Sequence, residues 1–328
     1  MGRNILITGG AGYVGSVVTG ALLSRGYNIV VVDNLSFGGE GLLGVWHHPN
    51  FKFVKGDLTD KTTIPSLFND NQFDGVVHLA AIVGDPACAK QPDLARKINL
   101  EASTHLLEEA IKRKTPRFIF ASTCSNYGKM ADPNGYVDEN SPLAPVSLYA
   151  ELKVKFESVF LKEIKKDEQF SPTALRFATV YGLSPRMRFD LTVNEFTKEF
   201  ALGRKLEVFG EKFWRPYCHV YDFGRAIDLV LNADAKKVAY NVFNVGDTSE
   251  NYQKQMIVDE IKKLIPILQV HYVSRNDDPR DYRVSFEKIK KELGFQISRR
   301  LPDGIREVKN LIDQKILLNP DDAKYKNS

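Results

Sequence analysis

Short apolar runs alternate with amphipathic stretches through the first half of the chain. Six runs rich in β-branched and aromatic residues predict strands at residues 4–8, 28–33, 51–54, 75–78, 117–121 and 173–177. Apolar positions at helical spacing predict helices at residues 13–25, 93–112 and 147–166. The run NIVVVD is apolar without alternation, as in a parallel strand that is covered on both faces. The pattern predicts an α/β fold with a doubly wound parallel sheet.

The regular alternation weakens after residue 178, where Gly, Pro and Arg interrupt the chain. We predict a smaller lobe there, while residues 222–231 and 240–245 return to the main sheet as a helix and a strand. The predicted units are a sheet domain of residues 1–178 with 222–246 and a C-terminal lobe of residues 179–221 with 247–317. The polar segment 318–328 is predicted to be a frayed tail.

The composition narrows the class of protein. The chain has 328 residues, of which 43% are hydrophobic and 26% are charged, as in a globular protein with one large or two smaller domains. Its net charge of +4 is spread along the sequence, so we expect no nucleic-acid partner. No apolar run is long enough to span a membrane. The three cysteines have no paired spacing, so we expect no disulfide framework, no metal site and a cytoplasmic location.

A glycine-rich turn follows the first predicted strand, in the segment ILITGGAGYVGS. Gly9, Gly12 and Gly15 stand between a strand and a helix, where glycines let the backbone approach a pyrophosphate at the helix N-terminus. Asp33 ends the next strand, where a carboxylate accepts hydrogen bonds from adenosine ribose hydroxyls and repels a 2′-phosphate. This context predicts a Rossmann-type fold that binds NAD in preference to NADP. A plain tight turn and a strand-ending turn Asp are the alternatives.

Two later strand ends are suited to the same cofactor. Asp57 follows the third strand in a GDL step, where it could meet the adenine. The fourth strand ends in HLAA, whose small residues leave room for the cofactor. We interpret His78, within that strand, as structural.

A tyrosine and a lysine four residues apart form the candidate catalytic pair. Tyr149 and Lys153 lie in the predicted helix 147–166, where residues four apart share one face. The Lys153 ammonium is expected to lower the pKa of the Tyr149 phenol from its usual value of about 10, and an oxidised nicotinamide adds positive charge. The spacing alone is not specific, but no other Tyr-x-x-x-Lys occurs in the chain. The pair also follows ASTCSNYG, a strand end rich in hydroxyl groups.

Together these motifs resemble the extended short-chain dehydrogenase/reductase family, in its branch of NAD-dependent sugar-nucleotide epimerases and dehydratases of the UDP-galactose 4-epimerase type. TGGAGYVGS, VVDNLS, GDL, HLAA, INLEAS, STCSNYG, YAELK and RPYCHVYD occur in the family's order and spacing over most of the chain. The resemblance implies that bound NAD oxidises carbon 4 of a nucleotide-linked sugar, which would be the small-molecule partner.

The resemblance also implies roles for individual residues. Tyr149 is the implied general base, Lys153 tunes its pKa and holds the nicotinamide ribose, and Thr123 is the implied catalytic hydroxyl. The implied cofactor contacts are Gly9, Gly12, Tyr13, Val14, Gly15, Asp33, Asn34, Asp57, Leu58, Leu79, Ala80, Ala81, Asn99, Ser122, Tyr149 and Lys153.

Three further side chains join Thr123 as candidate substrate ligands. Arg215, in RPYCHVYD, matches the arginine that binds the substrate pyrophosphate in the family. Asn194 lies where the family often places a polar substrate contact, and a helix-surface Asn is an equal alternative. Arg280 is a candidate second phosphate ligand. Its alternative role is a surface salt bridge with one of three neighbours, Asp277, Asp278 or Asp281.

The chain departs from the family pattern at two places. Cys124 and Ser125 replace the Asp-Glu pair that dehydratases carry after the catalytic Thr, so elimination of water lacks its proton carriers. Thr179 replaces an Asn that the family often carries, which weakens the case for an epimerase-like substrate contact there.

These features favour a sugar-nucleotide 4-epimerase. A 4-dehydrogenase that releases the 4-keto sugar is the first alternative, because ATVYGLSPRMRFDLTVNEF resembles a subgroup that includes a GDP-heptose 4-dehydrogenase. A 4,6-dehydratase is the second alternative. An idle NAD(H)-sensing regulator is the alternative outside enzymes, and the intact set of Thr123, Tyr149 and Lys153 argues against it. The resemblance further implies a homodimer through helices near 93–112 and 147–166.

Overall fold

The computed structural model describes residues 2–69, 71–130, 132, 135–265, 269–273 and 280–327. The strands are β1 (Asn4–Thr8), β2 (Asn28–Asp33), β3 (Phe51–Lys55), β4 (Gly75–His78), β5 (Arg117–Thr123), β6 (Ser171–Phe177), β7 (Thr179–Tyr181), β8 (Leu206–Phe209), β9 (Trp214–His219), β10 (Asn241–Val245), β11 (Asn251–Gln253) and β12 (Val270–Val273). The α-helices are α1 (Tyr13–Leu23), α2 (Thr63–Asn69), α3 (Asp85–Lys90), α4 (Pro92–Arg96), α5 (Ser103–Lys112), α6 (Leu148–Ser158), α7 (Thr192–Ala201), α8 (Val220–Asn232), α9 (Ala235–Val238), α10 (Lys254–Leu264), α11 (Glu287–Leu293) and α12 (Leu301–Asp313).

Seven parallel strands form the central sheet, in the order β10-β6-β5-β4-β1-β2-β3. The strand order reverses between β1 and β4, which makes this the switch point of a Rossmann-type sheet, where ligands bind outside the carboxyl ends of the strands. The predicted α/β fold with a doubly wound parallel sheet is confirmed. The segment predicted to return at 240–245 does so as β10, beside β6.

Both faces of this sheet are covered, which explains the continuous apolar runs of its strands. In β1, Ile5 and Ile7 pack on one side with residues of α1 and α8, whereas Leu6 packs on the other side with α5 and α6. All three side chains are 0% exposed. Each such side chain stabilises the fold by roughly 1.5–3 kcal/mol, so β1 is held from both faces.

Two predicted helices differ from the structure in detail. The helix predicted at 93–112 consists of α4 and α5 joined by a π-helical turn at Lys97–Ala102. The helix predicted at 147–166 is α6 followed by a π-helical turn at Val159–Glu163, and it ends before residue 166. A π turn inserts one residue into the helix, and the apolar spacing conceals it because the flanking turns keep their own period.

The second lobe is built on two small sheets. Strand β9 pairs with β11 in antiparallel and with β7 in parallel orientation, while β8 pairs with β12. Buried side chains of α7, α10 and α12 pack against these strands in a core of their own. The sequence predicted the lobe but not its strands, because runs this short carry no measurable period. The domain boundaries stay a prediction.

The C-terminal tail is docked on this lobe, so the prediction of a frayed segment at 318–328 is wrong for its described part. The Asp321 carboxylate forms ion pairs with Lys198, at 2.7 Å, and with Arg204, at 2.6 Å. The polar composition of the tail is typical of a frayed segment, but the charged partners of Asp321 lie more than 100 residues away in the sequence. Composition could not reveal that pairing.

The described part of the chain holds no helix that is long and apolar enough to cross a membrane. Within the same ranges, no three His, Cys, Asp or Glu side chains are grouped so that they could hold a metal ion. The three cysteines are free and buried. The cellular compartment stays a prediction.

Candidate active site

The glycine-rich turn connects β1 to α1 at the switch point of the sheet. Gly9 has a φ of +72°, and a Cβ on Gly15 would lie 2.1 Å from the Gly9 carbonyl oxygen, so both positions require glycine. Gly12 precedes α1 without a side-chain cap. The N–H groups of the first turn, including those of Tyr13 and Val14, have no acceptor within the helix. An anion is stabilised there by these donors and by the helix dipole, which fits the pyrophosphate of NAD.

Asp33 faces this turn from the end of β2. Its carboxylate accepts hydrogen bonds from the N–H groups of Ala11, at 3.0 Å, and Leu35, at 2.9 Å. Burial raises the pKa of Asp33, against the opposing effect of these two hydrogen bonds. Each carboxylate oxygen accepts only one of them, which leaves lone pairs for hydroxyl groups. This arrangement fits the adenosine ribose of NAD.

The other predicted cofactor residues near this turn lie at the carboxyl edge of strands β1 to β4. The Asn34 amide donates to the Asp57 carboxylate at 3.3 Å. The hydroxyl of Thr8 accepts a hydrogen bond from the Ala80 N–H at 3.2 Å and ties the end of β4 to β1. Leu58 is buried, and the half-buried residues are Leu79, Ala80 and Ala81.

Asn99 lies within the π-helical turn Lys97–Ala102 and is 2% exposed. Its side-chain amide accepts a hydrogen bond from the Ile82 N–H, at 2.8 Å, and donates one to the Ile82 carbonyl, at 2.9 Å. Both ends of the amide are therefore used on one residue of the loop after β4. Asn99 shapes this loop, and its predicted direct contact with the cofactor stays a prediction.

His78 is structural, as the sequence indicated. Its ring nitrogens form hydrogen bonds with the hydroxyls of Thr8, at 2.7 Å, and Ser103, at 2.8 Å. Burial lowers its pKa to about 3, so the ring is neutral.

The candidate catalytic residues meet where β5 adjoins α6. The Lys153 ammonium donates a hydrogen bond to the Ala121 carbonyl, at 2.7 Å, and lies 5.8 Å from the centre of the Tyr149 ring. Thr123 ends β5 two residues after Ala121, and its hydroxyl accepts a hydrogen bond from the Ser125 N–H at 3.1 Å. The fold thus brings Tyr149 and Lys153 to the strand end that carries Thr123.

The charge states of this pair differ from those expected from its spacing. Burial raises the pKa of the Tyr149 phenol above its usual value, with smaller increases from Cys88 and Asp85. Burial also lowers the pKa of Lys153 to about 8. In the chain without a cofactor the pKa of Tyr149 is thus shifted opposite to the expected decrease, because desolvation of the phenolate is the largest cause and exceeds the lowering effect of Arg188. An oxidised nicotinamide bound here would add a positive charge that favours the phenolate.

Arg215 lies in the second lobe beside this strand end. It is 8% exposed, donates to the Trp214 carbonyl at 2.6 Å, and its guanidinium lies 5.1 Å from the centre of the Tyr282 ring. The Tyr282 hydroxyl in turn donates to the Ser125 hydroxyl at 3.4 Å. This chain of contacts connects Arg215 to the turn after Thr123.

Arg280 forms an ion pair with Asp85, a residue that the sequence did not suggest. Its guanidinium lies 2.9 Å from the Asp85 carboxylate, which also accepts a hydrogen bond from the Ser147 hydroxyl at 2.6 Å. Asp85 begins α3 and Ser147 precedes α6, so the pair connects the second lobe to the helix of Tyr149. Two of the three expected partners, Asp277 and Asp278, lie outside the described residues.

Residues 5–246 match the model of the NAD dependent epimerase/dehydratase family. The chain belongs to this family.

Relatives of the chain within the epimerase/dehydratase family span nearly its full length. The UDP-glucose 4-epimerase of Erwinia amylovora is 26% identical over 94% of this chain and 97% of its own length. That of Bacillus subtilis is 28% identical over 91% of this chain and 94% of its own. The crystal structure of the Thermotoga maritima UDP-glucose 4-epimerase with UDP-glucose superposes with a TM-score of 0.84 at 28% identity, covering 95% of this chain and 99% of that one.

The two positions that carry an acidic pair in the family's dehydratases hold no carboxyl group here. Cys124 is 1% exposed, and its thiol donates to the Arg176 carbonyl at 3.2 Å. Burial raises the pKa of this thiol well above its usual value. Ser125 offers only a hydroxyl group. Neither side chain has a carboxyl group with which to carry protons for elimination.

Asn194 is not the surface residue that one interpretation of the sequence expected. It is 0% exposed, its carbonyl oxygen accepts from the Gly182 N–H at 2.9 Å, and its amide donates to the Arg188 carbonyl at 2.9 Å. The side chain also contacts the Tyr13 hydroxyl at 3.2 Å. Asn194 therefore ties the segment after β7 to α1, and its predicted substrate contact gains no support.

A buried ion pair behind the catalytic residues was missed in the sequence. Arg176 of β6 binds Glu157 of α6 at 2.7 Å, with both side chains at most 5% exposed. The Ser122 hydroxyl donates to Glu157 and accepts from the Asn126 amide at 3.1 Å. The donor of the Ser122 hydroxyl is therefore used within the protein, and its predicted cofactor contact stays a prediction. Glu157 follows Lys153 by four residues, so the spacing that paired Tyr149 with Lys153 also pointed to it.

Proposed function

We propose that this chain is an NAD-dependent sugar-nucleotide 4-epimerase and that UDP-linked hexoses are its substrate class. The observation that carries the proposal is the meeting of Tyr149, Lys153 and the end of β5 at the same edge of the sheet as the glycine-rich turn after β1. The relatives named UDP-glucose 4-epimerase align over 94% and 91% of the chain, which supports UDP as the nucleotide of the substrate.

In this proposal Tyr149 accepts the proton of the sugar's 4-hydroxyl group as general base. Lys153, fixed by the Ala121 carbonyl, holds a positive charge near the phenolate, and the Thr123 hydroxyl positions the substrate oxygen. NAD supplies the acceptor, and later the donor, of the hydrogen on carbon 4. Reduction of the 4-keto sugar from its other face gives the 4-epimer, and Tyr149 returns the proton.

Arg215 is the proposed ligand of the substrate diphosphate. Its buried guanidinium offers bidentate, charge-assisted hydrogen bonds, and its contacts lead to the turn after Thr123. Loss of water is not expected, because Cys124 and Ser125 provide no acid and no carboxylate base. A sugar that is oxidised here is therefore expected to keep its 6-hydroxyl group, and return of hydrogen to carbon 4 completes the proposed epimerisation.

The test is incubation of the purified protein and NAD with UDP-glucose or UDP-galactose, followed by proton NMR. We expect interconversion of the two sugars without accumulation of NADH. Tyr149→Phe should reduce turnover by about 10²–10⁴-fold, because positioned acid–base catalysis contributes that much. Steady release of NADH and a keto sugar, or a product that has lost water, would replace the epimerase proposal.

We also propose a homodimer, which apolar side chains on α4, the following π turn and α6 support. Leu94 is 40% exposed, and Ile98 and Val154 are half-buried. Leu94 and Ile98 are four residues apart, so they share a helix face. Light scattering after size exclusion should give a dimer for the wild type and a monomer for Leu94→Glu with Val154→Glu. A wild-type monomer would refute the proposal.

A further inference from the structure

Arg186, in the segment between β7 and α7, is a buried cation with neutral hydrogen-bond partners. It is 6% exposed, and its guanidinium donates to the Asn327 side-chain oxygen at 2.7 Å and to the Lys326 carbonyl at 3.2 Å. Its Nε atom is buried, and no acceptor for it exists among the described residues. A buried guanidinium with an unused donor is unfavourable unless an anion completes its surroundings.

The nearby carboxylates do not supply that anion. Asp190 is engaged by Arg188 through two hydrogen bonds, at 2.9 and 2.7 Å, and Glu40 is exposed. Burial and the charge of Arg188 lower the pKa of Arg186 to about 10, and Asp190 and Glu40 offset only part of this effect. The site of Arg186 is therefore short of negative charge.

Arg186 borders the proposed cofactor site on two sides. Its guanidinium lies 4.6 Å from the centre of the Phe37 ring, in the loop that follows Asp33. A Cβ on Gly41 would lie 2.7 Å from the Ala11 carbonyl oxygen and 3.2 Å from the Cβ of Arg186. The Arg186 side chain thus packs on the loop after β2, and Gly41 lies between Arg186 and Ala11 of the glycine-rich turn.

The segment that carries Arg186 is fastened to the first turn of α1. The Ser184 hydroxyl donates to the Tyr13 carbonyl at 2.7 Å and lies 3.0 Å from the Ser16 hydroxyl. The Arg186 N–H donates to the Ser184 hydroxyl at 3.3 Å. The buried cation and the helix N-terminus are therefore held in one rigid arrangement.

We propose that Arg186 binds a phosphate of the dinucleotide and that Asn327 of the tail holds it in place; this rests on the proposed use of NAD. The N-terminus of α1 offers neutral N–H donors, whereas Arg186 adds a full positive charge. A phosphate oxygen would accept from Nε and neutralise the buried guanidinium. The tail then contributes to cofactor affinity without touching the cofactor.

The first test is calorimetry of nucleotide binding to protein freed of copurified nucleotide. Arg186→Gln should raise the Kd of NAD and of ADP about tenfold or more, since a hydrogen bond to a charged group is lost, while adenosine binding stays unchanged. Arg306→Gln is the matched control, because Arg306 is 53% exposed and pairs with Asp303 on α12. It should leave all three Kd values unchanged.

The second test changes the residue that holds Arg186. Asn327→Asp places a carboxylate on the guanidinium, so it should raise the melting temperature of the nucleotide-free protein and weaken NAD binding. A purely structural Arg186 would gain the same stability without any loss of affinity, and that result would overturn the proposal. This arm remains informative even if Arg186→Gln does not fold.

The outcomes separate this inference from the function on which it rests. A wild-type protein that does not bind NAD would overturn both. A wild type that binds NAD, with an Arg186→Gln variant that keeps its Kd for NAD and ADP, would overturn only the role of Arg186. UDP is titrated in the same way. If Arg186→Gln weakens the binding of UDP and leaves that of NAD unchanged, Arg186 binds the substrate, and its proposed role in cofactor binding is overturned.

Discussion

Burial shifts the pKa values of two residues of the candidate active site toward their uncharged forms. Lys153 is 3% exposed, and its pKa is lowered to about 8, while the pKa of the Tyr149 phenol is raised. Both shifts have burial as their largest cause. Functional residues often lower the stability of a protein in this way. Removal of the Lys153 charge should therefore raise the stability measurably.

Lys153→Met should remove most turnover and yet raise thermal stability near neutral pH. The pKa of Lys153 is about 8 in the folded chain and about 10.4 when unfolded, so between these values the unfolded chain binds more protons. Wild-type stability therefore rises with pH through that window, and the advantage of the variant is largest below it. Thermal unfolding at about pH 7 and about pH 9.5 measures this difference. Lys155→Met, at an exposed position of α6, is the control. An advantage that does not shrink with pH would contradict the argument.

Asp33 should make the chain prefer NAD to NADP. Its carboxylate is fixed by the Ala11 and Leu35 N–H groups, so it cannot turn away from a 2′-phosphate without losing two hydrogen bonds. A negative charge held in a half-buried site repels a second one strongly. Calorimetry should show much tighter binding of NAD, and Asp33→Asn should narrow the difference. Equal affinities of the wild type for NAD and NADP would contradict this role of Asp33.

For single residues, the placement of side chains in local motifs could be predicted from the sequence, and contacts set by tertiary structure could not. The glycine turn, Asp33 and the Tyr149–Lys153 spacing depend on neighbours within one strand or helix. Asn194 and Arg280 depend on partners that are distant in sequence, Gly182 and Asp85, which only the fold brings together. The direction of the Tyr149 pKa depends on burial, which a spacing does not contain.

Among the elements, the length of each run decided what the sequence could reveal. Strands of the central sheet are buried on both faces and read as apolar runs bounded by turn residues, so all of the predicted ones are present. Strands β7 and β11 have three residues each, and their partners are set by the lobe that surrounds them. The two π turns were concealed because one inserted residue hardly disturbs an apolar face.

The pairing of α6 with β6 through Glu157 and Arg176 should be a main determinant of stability. Glu157→Gln leaves a buried guanidinium without its counter-charge, so it should lower the free energy of unfolding by about 3–5 kcal/mol. Replacing both partners by Met should recover much of this loss, because no buried charge then remains. Urea unfolding of the wild type, of Glu157→Gln and of the variant with Met at both positions measures these free energies of unfolding.

The control for this pair is Lys263→Gln, which breaks an exposed ion pair with Glu260 at 2.6 Å. Exposed pairs of this kind contribute about 0–1 kcal/mol, so the change should be small. If Glu157→Gln costs no more than this control, the pair behind the active site is not the anchor of α6.

For the whole molecule, the second lobe meets the sheet domain at the carboxyl edge where the proposed cofactor and catalytic groups lie. The Tyr13 hydroxyl donates to the Gly182 carbonyl at 2.6 Å, and Arg280 pairs with Asp85 at 2.9 Å. These contacts connect the two lobes next to the proposed catalytic and cofactor groups. The C-terminal tail contacts both α7 and the segment that carries Arg186.

Asp321→Asn should release this tail while leaving the fold intact. Hydrogen bonds and ion pairs with Arg204 and Lys198 lower the pKa of Asp321, so its contribution is present above the unfolded value of about 3.9 and is lost only as the pH falls below it. Loss of the charge at neutral pH removes both ion pairs. Trypsin should then cut after Lys324 and Lys326 faster than in the wild type, as mass spectrometry can follow. Asp259→Asn, at an exposed position of α10, is the control and should change nothing. Equal cleavage rates in all three proteins would mean that the ion pairs do not hold the tail, and that Asn327 reaches Arg186 by its own contacts alone.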